Sequence, residues 1–436
     1  MKSDYGNKEV LIMDQANRDA TFAKEDIFQR KSIGDGIVEL IKSQGENHKG
    51  ALTISIDAPW GMGKTTFLSM LENAIKQNCE TEWCTIYYDA WENDMSGDPF
   101  TSMLFQVCGQ LPQEFGTTIK AFIKEIFTSA SNFLEAFPGP IPKIIGAGLG
   151  LAGEMVKHTG YDDISRAYSL YESHKKLFQD NLSSIANECK KLVIFIDELD
   201  RCKPTFAVNL LETIKHYYDI DNVVFVFGID GIELCETIKQ YYGSGFDSSS
   251  YLTRFFEYQI SLPHPTIKQM LSLLENKYTI PSAVAGYLQK VFKYISITPR
   301  EVKSIISGIE IIKSHYFAQL DDKATIYSGL SVIGLLLSIK CKNKRLYEKV
   351  LSGDYYEQST KNQIENDLVL VSTICKGTVH DIIDTDFKTF HPPIFDRQNS
   401  IVLAFDALIN DRYINIGYSL QKILNIIEIP GFATYT

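Results

Sequence analysis

The spacing of apolar and polar positions predicts short buried strands that alternate with helices over the amino-terminal part of the chain. Residues 52–57 alternate and are rich in β-branched side chains. The segments 191–196 and 222–228 each begin with one polar residue and continue as an apolar run short enough for a buried strand. Residues 83–88 form a further run, and residues 251–263 predict a short helix that leads into a final strand. Because helical segments separate these runs, the pattern predicts an α/β fold with a parallel sheet.

From His264 onward the periodicity is helical. Helices are predicted at residues 266–278, 282–294, 299–316, 324–339, 361–375 and 413–427. Residues 376–412 show neither period and are expected to be irregular. This part of the chain is therefore expected to form a C-terminal helical domain.

These patterns, together with the length of the chain, divide it into four segments. The predicted segments are a loose N-terminal stretch at 1–20, an α/β core at 21–111 and 181–263, a helical insertion at 112–180 and the C-terminal helical domain at 264–436. With 436 residues, 44% of them hydrophobic, the chain can bury a large core in two or three domains. Residues 144–153 of the insertion are apolar but rich in glycine, and a membrane span needs about 20 apolar residues. A helical hairpin or a surface for a partner is expected there rather than a spanning helix.

Charge and cysteine usage narrow the class of protein further. A net charge of −11, with Lys and Arg scattered rather than interleaved with aromatic residues, does not favour broad contact with nucleic acid and leaves such binding open. The eight cysteines occur singly, without a Cys-x-x-Cys pair or a histidine at zinc spacing, which favours reduced thiols. The polar N-terminus carries no secretory signal, so a cytoplasmic location is expected.

A phosphate-binding loop is indicated between the first predicted strand and the helix after it. Residues 58–65 read Ala-Pro-Trp-Gly-Met-Gly-Lys-Thr, the pattern G-x-x-x-x-G-K-[ST] with its first glycine replaced by Ala58. The glycines let successive backbone N–H groups converge on a phosphate, and the helix start adds further N–H groups. An alanine fits at the loop entrance if its φ is negative. The residues expected to contact the nucleotide are Pro59, Trp60, Gly61, Met62, Gly63, Lys64, Thr65 and Thr66.

Acidic residues at the ends of two later strands complete the expected site. Lys64 is expected to reach the β- and γ-phosphates, and the Thr65 hydroxyl to ligate Mg²⁺. Asp197 fits the carboxylate that holds the Mg²⁺ shell, and Glu198 fits the base or water-orienting group needed for hydrolysis. Asp230 reads either as a polar sensor beside the γ-phosphate or as the N-cap of the next helix.

With these residues in view, the chain resembles the KAP family of P-loop NTPases, which is related to the STAND and AAA+ ATPases. The resemblance rests on residues 58–65, Tyr88-Asp-Ala-Trp91, Ile196-Asp-Glu-Leu-Asp-Arg-Cys202, Phe227-Gly-Ile-Asp230, the segment from Tyr251-Leu to Leu262-Pro, and Thr298-Pro-Arg300. It covers roughly residues 20 to 310, and the acidic signature ending in Asp-Arg-Cys is its most distinctive piece.

The resemblance implies a three-layer α/β core with an extra strand between the two Walker strands. It also implies that Lys64, Thr65, Asp197 and Glu198 take their usual roles with ATP and Mg²⁺. Many members carry paired membrane helices between the two Walker motifs, whereas the insertion here is weakly hydrophobic, so the chain looks like a soluble, bacterial-type member. Some bacterial relatives belong to anti-phage defence operons.

Arginines are the expected source of positive charge at the transferred phosphoryl group. Arg300 lies in the first turn of a predicted helix, where a cation opposes the helix dipole, so it either reaches a γ-phosphate from the helical domain or forms a plain salt bridge. Arg254 or Arg201 could act across a subunit boundary.

Three functions compete at this point. The first is an ATP-hydrolysing conformational switch that self-associates or acts on a protein effector. The second is an ATP-bound scaffold that recruits a separate effector without useful turnover. The third is a peripheral membrane-associated NTPase that uses residues 141–156 as an anchor. The complete set of Lys64, Thr65, Asp197 and Glu198 favours turnover, and the absence of an Asn-Lys-x-Asp pattern favours ATP over GTP.

Overall fold

The structure, a computed structural model, divides into two compact units, Met1–Pro263 and His264–Thr436. It describes residues 18–43, 48–77, 83–96, 99–112, 161–275, 280–295, 297–316, 323–342 and 344. Most of the predicted insertion, including residues 144–153, lies outside this described part.

The first unit contains a parallel five-stranded sheet in the order β2-β3-β4-β1-β5. The strands are β1 Leu52–Asp57, β2 Cys84–Asp89, β3 Leu192–Asp197, β4 Val223–Ile229 and β5 Tyr258–Ser261. β4 pairs with β1 on one side and with β3 on the other, so the strand before the glycine loop and the strand before the acidic signature are separated by one strand. The predicted α/β fold with a parallel sheet and an inserted strand is confirmed.

Helices cover both faces of this sheet and make it the middle layer of three. The α-helices are α1 Lys31–Ser43, α2 Lys64–Gln77, α3 Ala90–Asn93, α4 Pro99–Gln110, α5 Tyr161–Glu188, α6 Pro204–Tyr217, α7 Gly231–Tyr242 and α8 Ser248–Leu252. Because side chains alternate along a strand, β3 sends Ile194 into one core cluster and Phe195 into the other. All six residues of β3 are buried, which explains why its sequence is a continuous apolar run.

The second unit is helical in its described part. Its helices are α9 Ile267–Glu275, α10 Ser282–Tyr294, α11 Pro299–Tyr316 and α12 Lys323–Lys342. Gly334 lets α12 approach its neighbours, because a Cβ there would lie 2.5 Å from Leu288 and 3.1 Å from Ile309. The predicted helices at 361–375 and 413–427 and the irregular region at 376–412 lie outside the described residues. No helix in the part of the chain that the structure describes is long and apolar enough to cross a membrane.

The expectation that every cysteine is a reduced thiol is wrong for two of them. Cys84 and Cys189 form a disulfide across a sequence separation of 105 residues, with their Cα atoms 5.4 Å apart. Cys84 begins β2 opposite Leu192 of β3, and this register brings the end of α5 beside the start of β2. Local spacing cannot reveal a contact made by strand register. Cys108, Cys202, Cys235 and Cys341 are free, while Cys79 and Cys375 lie outside the described residues.

We expect the Cys84–Cys189 disulfide to stabilise the first unit, because it closes a long loop in the unfolded chain. A disulfide typically contributes about 2–4 kcal/mol to the free energy of unfolding. The double variant Cys84→Ser/Cys189→Ser should therefore lose about that much free energy of unfolding in urea titrations without reductant. Cys235→Ser, at a half-buried free thiol, is the control. Equal stability of the parent with and without a thiol reductant would contradict this expectation.

Candidate functional site

The carboxyl ends of three central strands meet at one edge of the sheet. Asp57 at the end of β1 is in register with Ile229 of β4, and Asp197 at the end of β3 is in register with Gly228 of β4. In an open parallel sheet, ligands bind at this edge. The loop after β1 and the acidic signature after β3 are therefore brought to the same edge.

The loop after β1 has the backbone conformation that a phosphate cradle requires. Gly61 and Gly63 have φ of +80° and +82°, values that favour glycine, whereas Ala58 is not among the described non-glycine residues with positive φ. Lys64 begins α2 and is buried, and its Nζ donates a hydrogen bond to the Ala58 carbonyl at 2.5 Å. The expected tolerance of an alanine at the loop entrance agrees with this geometry.

Two carboxylates hold the tip of this loop through Trp60. The Trp60 backbone N–H donates to Asp230 Oδ2 at 3.0 Å, and its indole N–H donates to Asp200 Oδ2. Asp200 and Asp230 are both buried, although the Trp60 ring itself is partly exposed. Burial raises the pKa of Asp200, while the Trp60 hydrogen bond and the Lys64 charge act in the opposite direction. The loop is thus fixed from the strand ends beside it.

Asp230 is the N-cap of α7, one of the two roles that its sequence position allowed. Its Oδ1 accepts from the Glu233 N–H at 3.4 Å, while its Oδ2 accepts from Trp60. Asp57 supports the same helix start, because its Oδ1 accepts from the Gly231 N–H at 2.8 Å. The second role, as a sensor of the γ-phosphate, stays a prediction.

Asp197 is one of the most buried carboxylates in the described part of the chain, with 1% of its surface exposed. Its Oδ1 accepts from the Glu198 N–H at 2.9 Å, and its Oδ2 accepts from the Tyr87 hydroxyl at 2.6 Å. Gly228 makes room for it: a Cβ there would lie 2.9 Å from Asp197 Oδ1 and 2.6 Å from Leu68 Cδ1. Since Leu68 is one turn beyond Lys64 in α2, the helix and the carboxylate approach each other over this glycine.

Glu198 follows Asp197 in a left-handed backbone conformation, with φ of 59° and ψ of 25°. Such a conformation is uncommon for a residue with a long side chain and occurs often at functional sites. Its Oε2 lies 2.8 Å from Arg201 Nε. Burial, and secondly the neighbouring Asp197 charge, raises the pKa of Glu198 to about 7, although Arg201 opposes the shift. A carboxyl group poised near neutrality suits proton transfer.

The raised pKa of Glu198 predicts that stability depends on pH in the metal-free protein. A carboxyl whose pKa is raised from 4.5 to about 7 by folding stabilises the fold when protonated, and this contribution is lost as the pH rises through 7. A glutamine cannot ionise, so Glu198→Gln should gain about 2 kcal/mol over the parent between pH 5 and pH 8. Urea unfolding at both pH values with a chelator present measures this difference, and a difference that stays constant would contradict it.

The donor set at this edge fits the phosphates of a nucleotide and a magnesium ion. Thr65 lies in the first turn of α2 with a half-buried side chain, and Asp197 supplies a carboxylate across Gly228. Mg²⁺ is usually held by one or two protein oxygens, with water and phosphate oxygens as its other ligands. The cation of Lys64 and the N–H groups at the start of α2 are of the kind that bind phosphate in proteins.

Two of the predicted arginines are not brought to this edge within the first unit. Arg254 is exposed in the segment between α8 and β5, four residues before Tyr258, which is in register with Ile54 of β1. Its action across a subunit boundary stays a prediction. Arg300 is exposed in the first turn of α11 in the second unit, and its reach to a γ-phosphate also stays a prediction. Arg201 pairs with Glu198 of its own chain.

The sequence interpretation missed Arg30, which contacts the loop from the N-terminal segment. Its side chain is 2% exposed, and it donates from Nη1 to the Met62 carbonyl at 2.9 Å and from Nη2 to the Pro263 carbonyl at 3.0 Å. Burial lowers its pKa to about 10. The sequence offers no local signal for this contact, because an arginine that precedes an amphipathic helix is normally a solvated residue.

A glycine loop between a strand and a helix, with an acidic strand end across one intervening strand, defines the site of a P-loop NTPase. The family model described as "KAP family P-loop domain" matches residues 30–317 of the 436, and the chain belongs to this family. The resemblance drawn from the motifs is therefore confirmed.

A sequence relative matches only a short part of the chain. The chain is 32% identical over 101 residues to an uncharacterized protein of Methanocaldococcus jannaschii, which covers 21% of this chain and 52% of that protein. The chain thus spans about half the length of the curated relative it matches.

The chain is also similar, at low sequence identity, to solved structures. The ORC2 protein of Aeropyrum pernix, in ADPNP–ADP complexes, has a TM-score of 0.39 and 9% identity over 87% of this chain and 86% of that chain. Cdc6p from Pyrobaculum aerophilum has a TM-score of 0.37 and 12% identity over 81% of this chain and 87% of that chain. TM-scores below 0.5 say nothing about the function of this chain.

Proposed function

We propose that the protein binds ATP with Mg²⁺ and hydrolyses it, and that this reaction drives a conformational switch. The observation that carries the proposal is that Lys64, Asp197 and Glu198 lie at one edge of a parallel sheet, with β4 between the strands that supply them. Membership of the KAP family of P-loop proteins supports the nucleotide-dependent part. A protein that had become a passive scaffold would not need a carboxylate with the properties of Glu198.

Each residue has a distinct task in this proposal. Lys64 and the backbone N–H groups of residues 61–66 bind the phosphates, which holds the γ-phosphoryl group in position. Thr65 and Asp197 would hold Mg²⁺, which neutralises charge on the phosphates when it is bound. Glu198 orients a water molecule and accepts its proton, and the pKa near 7 matches that task.

The two hydrogen bonds from Trp60 to Asp200 and Asp230 keep the tip of the loop in place, so the phosphate site is ordered before a ligand binds. A site that is fixed before the reaction does not have to reorganise its dipoles as charge develops.

ATP is proposed as the nucleotide because of the family, and because the sequence lacks a guanine-reading Asn-Lys-x-Asp pattern.

The output of the switch is proposed to be self-association or the recruitment of a protein effector. A division into two compact units supports this, since a nucleotide site in one unit can change how the other is presented to a partner. A role in bacterial anti-phage defence is proposed from the family resemblance alone. Arg254 and Arg300 are the candidates for residues that complete the site in the assembled state.

The test is steady-state turnover by the purified protein with ATP or GTP, in Mg²⁺ or in a chelator. Magnesium-dependent release of phosphate from ATP is the expected result. Tight binding without release would favour the scaffold alternative, and absence of both would refute the proposal. A pull-down with and without a non-hydrolysable ATP analogue then tests the switch, because a partner should be retained in only one of the two conditions. Flotation with liposomes tests the peripheral membrane alternative.

A further inference from the structure

Tyr87 contacts the carboxylate that the proposed function assigns to Mg²⁺. Its hydroxyl donates to Asp197 Oδ2 at 2.6 Å, and both side chains are buried, with 6% and 1% of their surfaces exposed. The other oxygen of Asp197 accepts from the Glu198 N–H. The two hydrogen bonds together fix the carboxylate plane, because each oxygen has its own donor.

The strand register explains why Tyr87 reaches this position. Tyr87 lies opposite Phe195 in the pairing of β2 with β3, two residues before Asp197, so all three side chains point to the same face of the sheet. The rings of Tyr87 and Phe195 stack with their centroids 6.3 Å apart. Stacking against a buried neighbour aims the hydroxyl along β3 toward Asp197.

Two further contacts hold Tyr87 in place. β2 is an edge strand, and the Gln110 side chain pairs with the Tyr87 backbone on the open side, accepting from its N–H at 2.8 Å and donating to its carbonyl at 2.7 Å. The Arg18 guanidinium lies over the ring, 3.1 Å from its centroid. Tyr87 is therefore held at its backbone, its ring face and its hydroxyl, so its side chain has little freedom to move. The Asp197 carboxylate that it contacts is restrained in turn.

We infer that Tyr87 is a positioning residue that orients the Asp197 carboxylate for the Mg²⁺ of a bound nucleotide, an inference that rests on the proposed function. Partners of this kind fix ligating groups and are worth about 10–100-fold in metal affinity or activity. A phenol hydroxyl is a hydrogen-bond donor, and here it donates to the carboxylate.

The chain supplies a matched control in the next residue of the same strand. Tyr88 is also buried, and its hydroxyl makes a 2.7 Å hydrogen bond with Ser102 on the opposite face of the sheet. Tyr87→Phe and Tyr88→Phe each remove one buried hydroxyl from β2. Only the first removes a hydrogen bond to Asp197.

The experiment measures the affinity of the full-length protein for a fluorescent ATP analogue, in a chelator and across a Mg²⁺ titration. For Tyr87→Phe we expect the affinity in chelator to equal that of the parent, while the Mg²⁺ concentration needed for half of the Mg²⁺-dependent gain rises about 10-fold. Tyr88→Phe should keep the parent's Mg²⁺ dependence. Turnover at limiting Mg²⁺ should fall for Tyr87→Phe and recover at high Mg²⁺.

The outcomes separate this inference from the proposed function. If Asp197→Asn abolishes the Mg²⁺ effect but Tyr87→Phe keeps the parent's titration, the positioning role is refuted and the proposed function survives. If both tyrosine variants shift the titration equally, the role is only structural and the inference is also refuted. If the parent shows no nucleotide binding at all, the proposed function fails and this inference fails with it.

Discussion

Replacing Lys64 with alanine is expected to abolish ATP binding at physiological concentrations. Lys64 is the cation at the start of α2, and its Nζ already lies at the loop, 2.5 Å from the Ala58 carbonyl. Two charge-assisted hydrogen bonds to phosphate oxygens, at about 2 kcal/mol each, correspond to a roughly 1000-fold loss of affinity. The loop glycines and strand order are untouched, so the effect on folding should be small by comparison.

Titration with a fluorescent ATP analogue in Mg²⁺ measures this loss for Lys64→Ala. Lys76→Ala is the matched control, because Lys76 lies in the last turn of the same helix and pairs with Glu72 at 2.7 Å away from the loop. The control removes the same charge and should bind as the parent does. Retention of parent-like affinity by Lys64→Ala would show that the loop is not the phosphate site.

Replacing Glu198 with glutamine is expected to keep ATP binding and stop turnover. Glutamine has nearly the same shape as glutamate but cannot accept a proton from water, and a positioned general base contributes about 10²–10⁴-fold to a rate. The raised pKa of Glu198, to about 7, shows that its environment favours proton exchange near neutrality. Turnover should therefore fall by about 10²–10⁴-fold while the affinity for ATP is retained.

The rate of phosphate release at saturating ATP measures turnover, and titration with a fluorescent ATP analogue measures affinity. Glu236→Gln is a control of the same chemistry at a remote place, since Glu236 forms an exposed ion pair with Lys239 on α7. Turnover at the parent rate in Glu198→Gln would show that another group takes the proton. Loss of binding in the same variant would show that Glu198 acts on the structure of the loop instead.

The glycine loop and the acidic strand end could be predicted because both are local. A few consecutive residues determine the conformations of Gly61 and Gly63 and the position of Lys64. The apolar run of β3 leads directly into the acidic signature. Strand order is a different matter. That β4 separates β1 from β3 was available only through the family resemblance, since periodicity contains no information about neighbours in a sheet.

What the sequence could not show depends on contacts between distant segments. Tyr87 meets Asp197 across 110 residues, Trp60 meets Asp200 across 140, and Arg30 meets Pro263 across 233. The same limit explains the error over Cys84 and Cys189. Such contacts are fixed by register and packing, which individual motifs do not encode.

Arg30 ties two places in the first unit that the sequence keeps far apart. One guanidinium nitrogen bonds to Met62 inside the glycine loop, and the other bonds to Pro263, the last residue before the helical unit begins. If the loop shifts when a ligand binds, either the Arg30 side chain moves with it or one of the two hydrogen bonds breaks. Either change would alter the hydrogen bond that holds the chain at Pro263.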